Sequence, residues 1–380
     1  MCFGRSLIYL LGFSLVERAV LSIGFLLMAY PALSILISFV FSIALIKILN
    51  LMAFRFGLVD SPDARKLHNG QIPLVGGVAI YISIFFACAF HGKWNAELIF
   101  YLISSGLLVV VGVVDDYKNI SPRSRVVAEI VAACLMVFGA GVSINSFGNI
   151  LGFGDVPLNS IASPLVTIFA VVALINAINM MDGIDGLAAG VSLISLFSFL
   201  WLAGDTSSRV IPAVYFVSST AAFLIFNLQL MGARFQKVFL GDAGSMLCGF
   251  TLVWLIIRFS QSEHFSEPAF KPVTALWIIA LPLIDMVCTV IRRLRKNRSP
   301  FGADRNHLHH ILMYAGLDFR QALFAILLLA GLFNMTGILM LEMRVAESLQ
   351  FILFIVFFVV YYFAFHKAFR FGNFVRRLIN

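Results

Sequence analysis

Residues 161–187 read IASPLVTIFAVVALINAINMMDGIDGL. The first fifteen form an apolar run suited to lipid. The remainder sets down Asn176, Asn179, Asp182 and Asp185, each three positions after the last. That spacing keeps four oxygen-bearing side chains near one helical face, drifting by about 60° per step. Gly183 and Gly186 allow the backbone to loosen or to approach a ligand closely. Asn176 and Asn179 have an ordinary reading as hydrogen-bonding glue between membrane helices. Glue does not account for the two added aspartates, which point to a ligand or a metal at the end of a membrane-embedded helix.

Composition extends the membrane reading to the whole chain. Of 380 residues, 61% are hydrophobic and 12% charged, with mean hydropathy +0.98. Soluble domains are about 45–50% apolar and about 25% charged. A crossing helix needs about 20 mostly apolar residues. Eleven runs qualify: 31–49, 73–90, 97–114, 126–142, 161–178, 187–203, 211–230, 244–260, 272–291, 320–340 and 350–366. They are long and unbroken rather than alternating, which argues against barrel strands. The short polar gaps leave no room for a separate soluble domain. The expected fold is an all-α integral membrane protein, a bundle of about eleven transmembrane helices. Residues 1–30 are set apart as an N-terminal apolar extension. Positions 6–28 are apolar but interrupted by Glu17 and Arg18, and no small-residue cleavage site follows. An extra span, an interfacial helix and an upstream extension all stay open.

The net charge of +8 raises nucleic acid as a partner, and its distribution argues against one. The loops around 50–72, 115–125, 179–186, 231–243, 292–319 and 367–380 hold eighteen Lys and Arg, while the alternate loops hold four, Lys93, Arg209, Lys271 and Arg344. This is the positive-inside bias, and it puts 115–125 and 292–319 in the cytoplasm. A smaller part of the excess is left for an anionic substrate. The five cysteines lie in or near apolar segments, so neither disulfides nor thiol chemistry are expected.

With that topology Asp60, Asp63, Asp115, Asp116, Asp182, Asp185 and Asp242 gather at one membrane face. Carboxylates beside apolar helices usually face a polar cavity or a ligand. VVDDYKN (113–119) brings Asp115 and Asp116 together. Adjacent carboxylates repel unless a cation sits between them, and a helix-end salt-bridge cluster with Lys118, Arg123 and Arg125 is the plain alternative. KVFLGDAGSML (237–247) sets Asp242 between two glycines, as the N-cap of a helix opening at Ala243 or as a metal ligand. Hard oxygen ligands of this kind suit Mg2+ or Mn2+, completed by substrate phosphates.

In RRLRKNRSPFGADRNHLHH (292–310) the leading basic residues read as inside anchors. Arg305 can fork onto phosphate oxygens, and His307, His309 and His310 can bind a pyrophosphate or act as an acid. Zinc is the rival, weakened by the missing HExxH pattern and the lack of a nearby cysteine. LVDSPDARKLHNGQIPLVGG (58–77) adds Arg65, Lys66 and His68 to the same basic face, or is a simple connecting loop. Three charges fall inside spans. Asp285 is placed to pair with Arg292 or to shape the site, Glu129 lies near Arg125, and Arg258 is able to snorkel from the outer end of span eight.

Taken in order, KLHNGQIPLVGG, VGVVDDYKNIS, NAINMMDGIDGLAAG, VFLGDAGS and SPFGADRNHLHH resemble the polyprenyl-phosphate N-acetylhexosamine-1-phosphate transferases over about residues 50–320. Any one motif is weak, and five in register over eleven spans are specific. DRNHLHH is similar to the undecaprenyl-phosphate N-acetylglucosamine branch, whereas the muramoyl-pentapeptide branch typically carries three consecutive His. The resemblance implies one polytopic transferase domain over 31–380 in a bacterial inner membrane, with a cytoplasmic active site. It implies transfer of N-acetylglucosamine 1-phosphate from UDP-GlcNAc to undecaprenyl phosphate with Mg2+ or Mn2+. The products would be UMP and undecaprenyl-diphospho-GlcNAc, the start of a surface polysaccharide such as O antigen.

The same resemblance implies metal binding by Asn179 and Asp242. It implies a catalytic pair at the lipid phosphate in Asp115 and Asp116, a site-lining acid in Asp182, and a position near the uracil for Asp185. Arg125 would meet the pyrophosphate, and His307, His309 and His310 would form the nucleotide-diphosphate loop. Asn119 stands where some relatives carry Asp nearby and is given no role. Membrane lipid is a further partner, and both a homodimer and a different UDP-N-acetylhexosamine donor stay open.

Two other classes compete. An ion-coupled transporter would suit eleven spans with intramembrane acids. Transporters usually hold coupling charges near the midplane of inverted repeats, whereas no repeat is visible and the acids gather at one edge. A scaffold without catalysis would tolerate loss of Asp115 or Asp242.

Overall fold

The computed structural model describes residues 31–61, 70–91, 94–204, 210–232, 235–261, 268–299 and 307–366. The extension expected over 1–30 lies outside the described residues, as do Asp63, Arg65, Lys66, His68 and Arg305.

The elements run α1 (Pro31–Phe56), β1 (Val59–Asp60), β2 (Ile72–Pro73), α2 (Gly76–His91), α3 (Ala96–Lys118) and α4 (Pro122–Cys134), which continues as a π-turn over Leu135–Gly139. Then come α5 (Ala162–Met181), α6 (Leu187–Ala203), α7 (Ile211–Asn227), α8 (Gly241–Ser260), α9 (Pro272–Ile278) and α10 (Ala280–Arg295). The series ends with α11 (Leu308–Tyr314), α12 (Phe319–Glu342) and α13 (Glu347–His366). β1 and β2 pair antiparallel in a two-stranded ribbon. The protein is an all-α membrane protein. Helices cover each apolar run, and among the described residues six are long and apolar enough to cross a membrane alone: α1 from Leu33, α3, α5, α8, α12 and α13. The bent pair α9–α10 makes a seventh if counted as one span, while α2, α6 and α7 are apolar but shorter. Large side chains such as Leu51, Phe324 and Phe363 stand exposed on the outside, as expected where the surrounding solvent is lipid rather than water.

Helix ends are specified locally. Asn95 caps α3 by accepting from Leu98 N at 2.7 Å, and Asn119 stops it in the left-handed region at φ 50°. Ser121 opens α4 with Pro122 in its first turn, where a missing N–H is harmless. Asp318 and Gln321 form a capping box on α12.

The packing centres on α8, which is buried along its whole length and touches α2, α3, α5 and α6. Its first turn is gripped where side chains vanish. A Cβ on Gly77 would collide with the Gly244 backbone, and one on Gly112 with Ala243. Backbones meet there directly, which fixes the height of Asp242 relative to the C-terminal end of α3.

The ninth apolar run is broken by 76° between α9 and α10. Pro282 lacks the N–H that would bond the Ile278 carbonyl. Ser195 of α6 supplies the missing donor, its hydroxyl lying 2.9 Å from Ile278 O. At the opposite end of the bundle from Asp242, Arg258 does not snorkel. It is buried and paired with Glu97 of α3, so its charge is met inside the protein.

Candidate active site

The C-terminal ends of α3 and α5 and the N-terminal ends of α4, α8 and α11 come together at one end of the bundle. The two halves of the aspartate pair diverge. Asp115, buried, accepts from Ile120 N at 2.9 Å and from Arg125 Nη1 at 2.8 Å. Asp116 reaches across to α8, where its carboxylate accepts from Asp242 N at 2.9 Å and Ala243 N at 3.4 Å. Asp116 thus caps the first turn of α8, satisfying orphan amides at the positive end of the helix. Asp242 is therefore not the N-cap of its own helix, which opens at Gly241. Its side chain is turned toward α5 instead.

There Asn179 Nδ2 donates to Asp242 Oδ1 at 2.6 Å and to Ser245 Oγ at 2.9 Å. The second Asp242 oxygen lies 3.8 Å from Arg125 Nη1. Arg125 consequently stands between two carboxylates from different helices. Asp182 ends α5, with φ −75° and ψ 55°. Its side chain is accessible yet ringed by protein. Desolvation, followed by the charges of Asp242 and Asp185, pushes its carboxyl up to about 8. Asp185, one turn on, pairs with Lys237 Nζ.

The histidine segment closes the group from the far side. The ring of His309 lies against Gly183, where any Cβ would strike its Nε2. The His307 and His309 rings are parallel, with centroids 6.0 Å apart, and His310 sits 4.2 Å from His309. Burial, with His310 and His307 nearby, pushes His309 down to about 3, so this ring is neutral at pH 7. Its Nε2 is buried and has no hydrogen-bond partner among the described residues. Asp285 does not pair with Arg292. Its Oδ2 lies 2.9 Å from His307 Nδ1.

Family comparison decides between the enzyme and the competing classes. The model for glycosyl transferase family 4 matches residues 98–260, the stretch that carries Asp115, Asp116, Asn179 and Asp242. The undecaprenyl-phosphate alpha-N-acetylglucosaminyl 1-phosphate transferase of Salmonella typhi is 40% identical over 352 residues, 91% of this chain and 94% of that protein. The enzyme of the same name from Escherichia coli strain K12 is 39% identical over 90% of this chain and 92% of its own length. That from Haemophilus influenzae is 37% identical over 91% and 97%.

The chain belongs to this transferase family.

For a transferase of this family the geometry sorts the four residues of the opening motif. Asn179, Asp182 and Asp185 line the cluster. Asn176 donates to Glu129 Oε2 at 2.6 Å and to Val172 O at 2.8 Å, the helix-bridging role that asparagine commonly takes in membranes. Lys237 was missed by the sequence reading, although it opens the KVFLGD motif. Its signal was a single cation directly before a buried strand-like segment. Glu129 was noted only as lying near Arg125. One turn of α4 carries both, so the Glu129–Asn176 bond sets the spacing at which Arg125 meets Asp115.

Among the described residues no three His, Cys, Asp or Glu side chains form a ready metal cage. The donor set nonetheless fits Mg2+ or Mn2+. Asp242 and the Oδ1 of Asn179 are hard oxygens, and such ions bind through one or two protein ligands plus substrate phosphates.

Proposed function

We propose that the chain transfers N-acetylglucosamine 1-phosphate from UDP-GlcNAc to undecaprenyl phosphate at the cytoplasmic face of a bacterial inner membrane, with all eleven apolar runs crossing the bilayer. An oxygen of the lipid phosphate forms a bond to the phosphorus that bears the sugar. The bridging P–O bond of the donor breaks, and UMP departs with that oxygen. The product is undecaprenyl-diphospho-GlcNAc, the first intermediate of a surface polysaccharide such as O antigen.

The observation that carries this reading is the meeting of Asn179, Asp242, Asp116 and Arg125. These residues come from four separate helices, within 3.8 Å of one another through successive contacts. Asp242 and Asn179 would hold a divalent cation, which when bound neutralises charge on the donor phosphates and the leaving UMP. Phosphoryl transfer is served mainly by positioning and charge stabilisation. Arg125 supplies a fixed guanidinium for the pyrophosphate. Asp115 orients that guanidinium and, with Asp116, acts at the lipid phosphate. Asp182 lines the cleft as an orienting group, its carboxyl raised to about 8 by desolvation and by the charges of Asp242 and Asp185. Asp185 and Lys237 form a polar edge for the base, and His307, His309, His310 and Arg305 receive the diphosphate.

The test is to supply membranes containing the protein with undecaprenyl phosphate and a mixture of UDP-sugars, then weigh the lipid product. A mass gain of one N-acetylhexosamine phosphate with stoichiometric UMP, abolished by EDTA, is expected. Repeating the assay with single UDP-sugars identifies GlcNAc as donor. Absence of any lipid product, or a rate indifferent to EDTA, contradicts the proposal.

A further inference from the structure

The histidine segment is held by a buried network whose anchors, Asp285 and Tyr361, lie outside the motifs read from the sequence. Asp285 sits on α10, one turn past Pro282 and buried. Its Oδ1 accepts from the Tyr361 hydroxyl at 2.8 Å and from Leu308 N at 3.3 Å, while His307 Nδ1 donates to its Oδ2 at 2.9 Å. Tyr361 is itself buried, on α13, a helix with only 11% of its apolar window buried. Beside it, the Arg295 guanidinium stands 5.3 Å from the Tyr362 ring. Three elements distant in sequence therefore converge on one carboxylate: the bent span, the start of α11, and the last helix.

We infer that Tyr361 and Asp285 are positioning residues for the nucleotide-sugar half of the site. A carboxylate on Nδ1 fixes the His307 tautomer and ring plane, leaving Nε2 for a ligand. The bond from Leu308 N fixes the backbone where α11 begins. The parallel stack of His307 on His309, and the seat of His309 on Gly183, relay that position to the Asp182–Asp185 turn. Tyr361 prevents the carboxylate from rotating, because its hydroxyl occupies the oxygen not held by His307. The otherwise loosely packed α13 thus has a defined task at a site it does not touch. A buried carboxylate is kept only when its oxygens are satisfied, and here each oxygen serves the histidine segment or its anchor.

This inference rests on the reading that the histidines meet the donor diphosphate. Its test uses the full-length protein with Tyr361→Phe, Asp285→Asn and His307→Ala, singly and with Tyr361→Phe combined with His307→Ala. Tyr361→Phe should raise KM for UDP-GlcNAc about threefold to tenfold, the effect of one lost hydrogen bond. KM for undecaprenyl phosphate and kcat should stay within about twofold. In the His307→Ala background Tyr361→Phe should add no further change, and the thermal midpoint of Tyr361→Phe should remain near that of the wild type. Equal effects on both substrates, or additivity with His307→Ala, would overturn the positioning role. If Asp285→Asn does not fold, the Tyr361→Phe cycle still decides. A wild-type protein that releases no UMP would instead refute the transferase reading, so the two failures are distinguishable.

Discussion

Asp242 illustrates how one carboxylate acquires its task from its neighbours. Asp116 takes over the capping of α8, and Asn179 and Arg125 then hold the freed Asp242 side chain at the cleft. Asp242→Ala should lower kcat by at least roughly a hundredfold, the scale of removing a main electrostatic contact from a transition state. Folded yield should be unchanged, because Asp242 contributes little to core packing. His309→Ala should raise the requirement for UDP-GlcNAc more than that for the lipid, measured as separate KM values.

His309 also makes a pH prediction. Its folded value of about 3 lies below the unfolded value of about 6.5. The unfolded chain therefore binds the extra proton between these limits, and stability falls as pH drops from about 6.5 toward 3. His309→Gln should flatten that part of the melting-temperature profile, and an unaltered profile would show that the ring is not buried neutral.

At this scale the acids were legible because hard oxygens are conspicuous in an apolar chain. The Asp115–Arg125 pair was legible as a helix-end salt bridge, and the other pairings across helices were not. Asp285 reads from the sequence as pairing with Arg292 or shaping the site; Arg292 is seven residues on, about 10 Å along a helix, and the carboxylate instead meets His307 at 2.9 Å. The division of labour between Asp115 and Asp116 depends on which helix each one faces, and adjacent positions in a sequence do not declare that.

Among the elements, helices of the described residues cover each apolar run, since a membrane helix declares itself by length and hydropathy, whereas the short α11 (Leu308–Tyr314) falls outside every run and α1 continues to Phe56. The boundaries that matter for the site moved. α8 opens at Gly241 rather than 244, which places Asp242 inside its first turn. The ninth run is two helices rather than one, and its signal, Pro282, is tolerated in membrane helices too often to mark a break by itself. Close backbone contact at the start of α8 makes a further prediction. Gly112→Val should displace the first turn of α8 and lose both activity and folded yield. Gly331→Ala on α12 meets no atom within 4 Å and should remain within about 1 kcal/mol of wild type, the range of a glycine exchange in a helix. Purified yield and melting temperature separate the two.

For the molecule as a whole, the proposed function asks the architecture to serve two substrates of opposite solubility. A nucleotide sugar needs a charged, wet end, and an isoprenoid needs apolar helix surfaces beside it. The buried α8 carries Asp242 at the site end and Arg258, paired with Glu97, at the opposite end of the bundle. In the proposed function the eighteen-to-four distribution of basic residues sets the sidedness. Inside-out vesicles should therefore form product from added UDP-GlcNAc, while sealed right-side-out vesicles should not.

The most direct measurement is the binding of Mn2+ to purified protein in the presence of UDP-GlcNAc, followed by electron paramagnetic resonance. The wild type and Asp155→Ala, altered at an exposed loop position away from the cluster, should bind one ion each, and Asp242→Ala should lose it. Undiminished binding by Asp242→Ala would contradict the claim that these converging side chains form the metal-dependent centre.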